Sequence, residues 1–281
     1  MLFGVNYVMA KVALREVSPV DLVVIRTWLT AAILLTLSKL RRRATPEPKL
    51  SLSDVGQLLL YSLLGASINQ IGFLEGLARS TATNASVMFV SIPLLTLVFA
   101  VALGRERVSL TPALGVGIGL TGALLLIVPR GGMDVTSGTT VGNALLLLSS
   151  CSYALYLVLT RPILARHDPL RVVSYIFLLA ALTISPFGVR GVGHLMLSGL
   201  STAGWASVAY VVIGGTALPY LLNNWALARV KSSIVAVYVL LQPVVAGLLG
   251  RLLLHEQFAP HAALAAFLIM TGVIMSAWRR R

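Results

Sequence analysis

A chain of 281 residues that is 57% hydrophobic and 11% charged, with mean hydropathy +0.90, carries too little charge for a water-soluble domain, in which about a quarter of residues are ionisable. Its formal net charge of +13 would point to nucleic acid in a soluble protein, but on so apolar a chain the basic residues read as loop charges that orient helices, and nucleic-acid binding is excluded. The one cysteine, Cys151, rules out disulfides and thiolate metal clusters within the chain.

A membrane-crossing helix uses about 20 apolar residues. Apolar runs bounded by charge, proline and glycine predict ten spans, at 1–14, 19–38, 55–77, 82–103, 110–128, 141–160, 169–188, 203–227, 232–254 and 261–278. The first lacks the basic leader and cleavage site of a signal peptide. Only ten residues precede its Lys11, a rise of about 15 Å against an apolar core of about 30 Å, so a shortened first helix is expected.

The second span opens at Pro19 and carries Arg26. The stretch from Lys39 to Asp54, with Arg41, Arg42, Arg43, Pro46 and Pro48, reads as a solvated loop. Asn69, Gln70 and Glu75 make the third span the most polar, and Pro93 lies inside the fourth. Pro112 is placed to start the fifth. Gly115 and Gly119, like Gly72 and Gly76, have the small-residue spacing that lets helices approach closely, within one chain or in a homodimer. The Gly/Ser/Thr-rich run from Pro129 to Thr140 reads as a flexible joint. Beyond it, Tyr153, Tyr156, Tyr175, Tyr220, Asn223, Asn224, Trp225, Tyr238 and Gln242 are spread over the sixth to ninth spans, and Pro243 lies inside the ninth.

If both termini face the cytoplasm, the inner connections collect most of the 22 Lys and Arg, led by the Arg41–Arg43 run. The outer ones then hold only Lys11, Arg15, Arg79, Arg130, Arg190 and Arg251. That asymmetry predicts an N-in, C-in orientation. Shifting the chain by 150 residues places Leu77-Ala78-Arg79 on Leu227-Ala228-Arg229, Pro19 on Pro169, Pro93 on Pro243, Glu106 on Glu256 and Thr121-Gly122 on Thr271-Gly272. Five spans per copy is an odd number, so the second copy enters the membrane from the opposite face. The expected fold is an all-α membrane protein of ten transmembrane helices, built as two inverted five-helix repeats over 1–135 and 136–281. In such pairs a substrate site lies near mid-bilayer where the repeats meet.

Ionisable groups inside a span are costly and mark candidate function. Glu75 is a candidate for proton coupling, although Arg79 four residues on could instead pair with it at the helix end. Arg26 must face a polar cavity or a carboxylate, and a bidentate contact to a substrate carboxylate is one use. Asn6, Tyr7, Gln70, Asn84, Tyr156, Tyr220 and Asn224 supply amides and aromatic faces for a mixed cavity. Tyr238 and Gln242, spaced i,i+4 on one helical face, extend it in the second half. Pro93 and Pro243 are candidate hinges. Glu106 and Glu256 read as solvated or salt-bridged loop edges.

The ten spans, the five-plus-five duplication, the run from Gly4 through Asn6 to Lys11 that leads to Pro19 and Arg26, and the stretches ending in Glu106 and Glu256 resemble the EamA-type proteins of the drug/metabolite transporter superfamily. The resemblance covers the whole chain. It implies a multi-pass protein of the bacterial cytoplasmic membrane that exports small amphiphilic metabolites, such as amino acids, by alternating access and without a cofactor. Glu75 and the short first span depart from the family pattern.

Other classes stay open at this stage. A flippase for a lipid-linked substrate would use the same fold, and a non-transporting assembly subunit would need no polar cavity. An intramembrane enzyme would require a convergent nucleophile or metal set. The sequence offers none: His167, His194, His255 and His261 have no metal-ligand spacing, and the glycines from Gly115 to Gly122 are not followed by a P-loop lysine.

Overall fold

In the computed structural model, residues 2–41, 50–80, 82–107, 110–127, 137–242 and 262–277 are described, and every regular element among them is helical. In chain order these are α1 (Leu2–Ala13), α2 (Pro19–Leu40), α3 (Leu52–Ser62), α4 (Asn69–Arg79), α5 (Ala82–Val90), α6 (Ile92–Ala102) and α7 (Leu110–Ile127). They are followed by α8 (Ser137–Leu164), α9 (Pro169–Ser198), α10 (Thr202–Val212), α11 (Leu218–Leu227), α12 (Ser232–Val237) and α13 (Ala262–Ala277). The segments Pro19–Leu40, Leu52–Arg79, Thr140–Leu164, Pro169–Gly188 and Thr202–Leu227 are long and apolar enough to cross a membrane. Their outward faces present Leu37, Leu60, Leu148, Leu182, Leu218 and Leu222, as a surface bathed in acyl chains requires. The protein is an all-helical, multi-pass membrane protein.

Short polar residues set the helix starts. The Ser18 hydroxyl accepts from the Asp21 amide at 3.2 Å, one residue before Pro19. Ser51 and Asp54 form a reciprocal capping box on α3. Asp168 Oδ1 accepts from the Leu170 amide at 2.8 Å ahead of α9, and Ser201 caps α10. The Glu16 carboxylate accepts from the hydroxyl and amide of that same Ser201 at 2.5 and 2.9 Å, which ties the end of α1 to the start of α10. These hydrogen bonds hold the Glu16 carboxyl below the usual carboxylate range.

Two long helices are interrupted where an uninterrupted helix is expected from sequence. Leu63–Ile68 joins α3 to α4 and Ile213–Ala217 joins α10 to α11, each as a π-helical turn. Glycine makes both turns close-packed. The Tyr156 ring lies against Gly65, and the Asn6 amide lies against Gly215, in each case where a Cβ would otherwise sit. The two turns are 150 residues apart, as are Pro19 and Pro169 at the starts of α2 and α9, and Leu52 and Thr202 at the starts of α3 and α10.

The main helix pairings bring elements of the two sequence halves together: α2 with α9, α4 with α8, α7 with α13, and α1 with α10. Small residues permit this. On α7 and α13, the position of a Cβ at Gly272 would be 2.5 Å from the Gly119 amide nitrogen and 2.6 Å from the Gly115 carbonyl oxygen. Gly72 and Gly76 serve the α4–α8 contact in the same way, against the Leu145 and Gly142 carbonyls. The small-residue spacing is therefore used inside the monomer. Gly272→Ala is expected to force the pair apart and lower stability by about 1–3 kcal/mol, read as a reduced Tm in detergent, whereas Gly117→Ala, which meets open space, leaves Tm unchanged.

Three expected spans are altered. The fourth divides at Ser91 into α5 and α6, because Pro93 has no amide hydrogen to donate to the Phe89 carbonyl. The seventh runs on to Ser198, with Pro186 accommodated inside the helix. The ninth begins as α12 and tightens into a 3₁₀ turn at Tyr238–Leu240. Pro243 and Glu256 lie outside the described residues, as do Arg42 and Arg43 of the basic run.

A polar and aromatic cavity between the two halves

Asn6, Arg26, Asn69, Gln70, Phe73, Phe89 and Ile92 of the first half and Tyr153, Gly215, Tyr220, Val239 and Gln242 of the second line one cavity of about 500 Å³, counting its open mouth. Three pairs in this lining, Gln70 with Tyr220, Phe89 with Val239 and Ile92 with Gln242, are 150 residues apart.

The walls are held rigidly. The Tyr220 hydroxyl lies 2.5 Å from the Gly65 carbonyl and 2.9 Å from Asn69 Oδ1. The Tyr220 ring meets Phe177 edge-on, with centroids 5.0 Å apart. The Asn69 side-chain amide donates to the carbonyl and hydroxyl of Ser149 at 3.1 and 3.0 Å, which fixes its rotamer against α8. Tyr153 accepts from Asn223 at 2.6 Å. These side chains spend their polar atoms on one another and present ring faces to the cavity.

Other polar atoms have nothing to bond. Arg26 is only 3% exposed, and its Nε and Nη2 both donate to Thr216 Oγ1, at 3.0 and 2.6 Å. Its Nη1 is buried without a hydrogen-bond partner among the described residues, as are Asn6 Oδ1 and both amide atoms of Gln70. Buried polar groups are normally satisfied, so a guanidinium nitrogen, an acceptor and an amide without partners among the described residues make this cavity a candidate site for a polar ligand.

Of the expected site residues, Asn6, Arg26, Gln70, Tyr220 and Gln242 meet in this lining. The others serve elsewhere. Glu75 pairs with Arg79 at the end of α4 and is not in the lining. Asn84 donates to Asn143 and Ser80, fastening α5 to α8. Tyr156 is fully buried against Gly65 and accepts from Asn224 at 2.6 Å, so both lie behind the wall. Tyr238 is 53% exposed. The tighter winding of the 3₁₀ turn at Tyr238–Leu240 rotates Tyr238 away from the direction an unbroken α-helix would give it, and Gln242 enters the lining without Tyr238. The Tyr7 side chain lies outside the described residues. Pro93 is buried just after the Ser91 break, a place suited to a hinge.

The expected side-on fork from Arg26 to a carboxylate is also altered, because Thr216 occupies the Nε and Nη2 edge. Nothing in the sequence singled out Thr216. Its role comes from the π-turn, and the residue 150 positions earlier is Ala66. Phe73 and Phe89 were equally silent, since aromatic side chains in a span read as lipid-facing or packed.

Glu106 differs most from expectation. It is 9% exposed and accepts from the hydroxyls of Ser232 and Ser233 at 2.7 and 2.5 Å and from the Ser233 amide at 3.3 Å. It therefore caps α12 from another element, in place of Lys231, which makes no side-chain cap. Gly104, at φ +65°, closes α6 so that Arg105 and Glu106 both bond back to the Ala100 carbonyl, which turns Glu106 inward.

Residues 1–128 and 140–278 match the model of the EamA-like transporter family. The chain belongs to the EamA-like transporter family. Among its relatives are uncharacterised transporters of Archaeoglobus fulgidus, 25% identical and covering 98% of this chain and 93% of that protein, and of Bacillus subtilis, 25% identical over 98% and 89%. A WAT1-related protein of Arabidopsis thaliana is 26% identical over 83% of this chain and 67% of its own length. A solved crystal structure at 18% identity superposes with a TM-score of 0.74, over 98% of this chain and 95% of the other, and has the same fold. The EamA-like assignment accounts for the apolar composition and the all-helical build, and it places the chain among the drug/metabolite transporters.

Proposed function

We propose that this EamA-like protein exports small amphiphilic metabolites, amino acids among them, across the bacterial cytoplasmic membrane by alternating access of two inverted five-helix repeats, 1–135 and 136–281. The carrying observation is the cavity. Its lining is drawn from both halves at positions related by the 150-residue offset, which is where a pair of inverted repeats would place its substrate.

Packing at the helix ends supports the alternating path. Arg41 meets Asp168 and Asp54 meets Arg166, both at 3.0 Å, at ends assigned to the cytoplasm. The Glu16 carboxylate meets the Ser201 hydroxyl and amide at ends assigned to the outside. Rocking of one repeat against the other would break one set of contacts while the other holds, with the Ser91–Pro93 break in α5–α6 as a hinge.

Counterflow of labelled amino acids into proteoliposomes preloaded with the same compounds tests this. Uptake that Tyr220→Leu and Gln70→Leu both reduce supports the reading; uptake indifferent to both sinks it. The Glu75–Arg79 pair is a helix-end contact, so uptake driven by a pH gradient is expected to be the same in Glu75→Gln as in the parent. Loss of that driven uptake would restore Glu75 to a coupling role.

A further inference from the structure

Arg26 has no counter-charge among the described residues. Each carboxylate among the described residues is engaged elsewhere: Glu16 with Ser201, Asp21 with Ser18, Asp54 with Arg166, Glu75 with Arg79, Glu106 with Ser232 and Ser233, and Asp168 with Arg41. What Arg26 has instead is the neutral hydroxyl of Thr216. That hydroxyl donates its own hydrogen to the Val211 carbonyl at 2.7 Å and so turns its lone pairs to the guanidinium. A guanidinium does not release its proton in a protein, and a buried cation without a paired charge is strongly unfavourable. The Gln70 amide nitrogen, in a residue that is 1% exposed, is a second donor in the same lining with no hydrogen-bond partner among the described residues.

We infer that this cavity is an anion site, in which Arg26 Nη1 and Gln70 Nε2 hold one singly charged group and Thr216 is the residue that positions Arg26. The group is a carboxylate of the ligand or, between ligands, a free halide. One cation balances one negative charge, and Phe73, Phe89 and Tyr153 beside it favour an aromatic or apolar body on the ligand. The inference rests on the cavity of the transport reading and names the chemistry that enters it. It also gives Thr216 a reason to stand on a π-turn, where the extra residue in the turn brings its hydroxyl both to Val211 and to Arg26.

Thermal unfolding of the purified full-length protein in detergent tests this, with benzoate against its neutral isostere benzamide, and with gluconate balancing ionic strength. Benzoate is expected to raise Tm saturably by several degrees through mass action, and benzamide to leave it unmoved. An equal rise with chloride, which then blunts the benzoate response, identifies a free anion as the resting occupant. A rise with benzoate alone identifies the ligand's own carboxylate. Equal effects of benzoate and benzamide, or a benzoate response that persists in Arg26→Gln, would overturn the site.

Thr216→Val keeps shape and charge while removing the hydroxyl, and it is expected to weaken benzoate binding roughly ten-fold, with Thr216→Ser restoring it. Unchanged affinity in Thr216→Val would overturn the positioning role. Transport of neutral solutes without any benzoate response refutes the anion site alone. A full benzoate response without transport of any solute refutes the transport reading alone.

Discussion

Replacing Arg26 by glutamine is expected to reduce transport by at least roughly ten-fold while leaving the protein as stable as its parent or more so. The two effects have opposite signs because the same charge does two things. Buried at 3% exposure and bonded among the described residues to a threonine hydroxyl, the guanidinium weighs against the stability of the fold. An uncompensated buried charge is strongly unfavourable, so exchanging it for a neutral side chain of similar length is expected to be neutral or stabilising. The glutamine amide can still donate to Thr216. Transport suffers because the group that draws the ligand into the cavity is gone, and a site built for function commonly sacrifices stability. Flux in proteoliposomes and Tm in detergent separate the two. A drop in Tm that parallels the lost flux would make Arg26 a structural residue. Arg26→Lys is expected to fall between, since a single ammonium cannot hold Thr216 through two nitrogens and face the cavity with a third.

The second large effect is expected at Glu106. Its carboxylate is the N-terminal cap of α12, supplied from the loop after α6, and it takes three hydrogen bonds there. Glu106→Ala leaves two hydroxyls and an amide unsatisfied in a buried place, for a loss of about 2–4 kcal/mol. Glu106→Gln keeps one acceptor oxygen and is expected to lose about half of that. The Glu106→Ala and Ser233→Ala changes should be far from additive in a double-mutant cycle, because each removes the same bond. Additive losses would contradict a shared cap. Substituting the flanking Arg105 or Arg107, both exposed, is expected to move Tm little. Because α12 leads into Val239 and Gln242 of the cavity lining, loosening it should also weaken ligand affinity.

Most of the helices were legible in the sequence because each is punctuated by a local signal. Pro19 and Pro169 at N-termini, Ser51 and Ser201 as caps, and unbroken apolar runs between them are decided within a few residues of chain. The offset of 150 was legible too, since coincident Arg, Pro and Glu survive at it. The π-turns were not legible. They arise where Tyr156 and Asn6 press on Gly65 and Gly215 from helices far away in sequence, and no window of the chain contains both partners.

The candidate site divides along the same line. Arg26 and Gln70 stood out because polar groups in a span are costly wherever they point. Glu75 stood out for the same reason and yet pairs with Arg79, one helical turn away. Asn84, Tyr156 and Asn224 were chemically suitable and are spent on holding helices together. Whether a polar side chain meets a ligand or another helix depends on which face of its helix the packing leaves open, and glycine contacts between α4 and α8 and between α7 and α13 set that packing.

By itself, then, the sequence determined that the chain is helical and membrane-embedded, where its helices begin, and that a cation lies inside the second span, because these follow from apolar length, capping chemistry and the cost of charge in lipid. Only the tertiary structure decided that this cation rests on Thr216 with one nitrogen open, that the cavity is lined without Glu75 and that Glu106 is turned inward to cap another helix. Those outcomes depend on contacts between residues more than a hundred positions apart, or on which neighbour wins a hydrogen bond, and neither is written in local pattern.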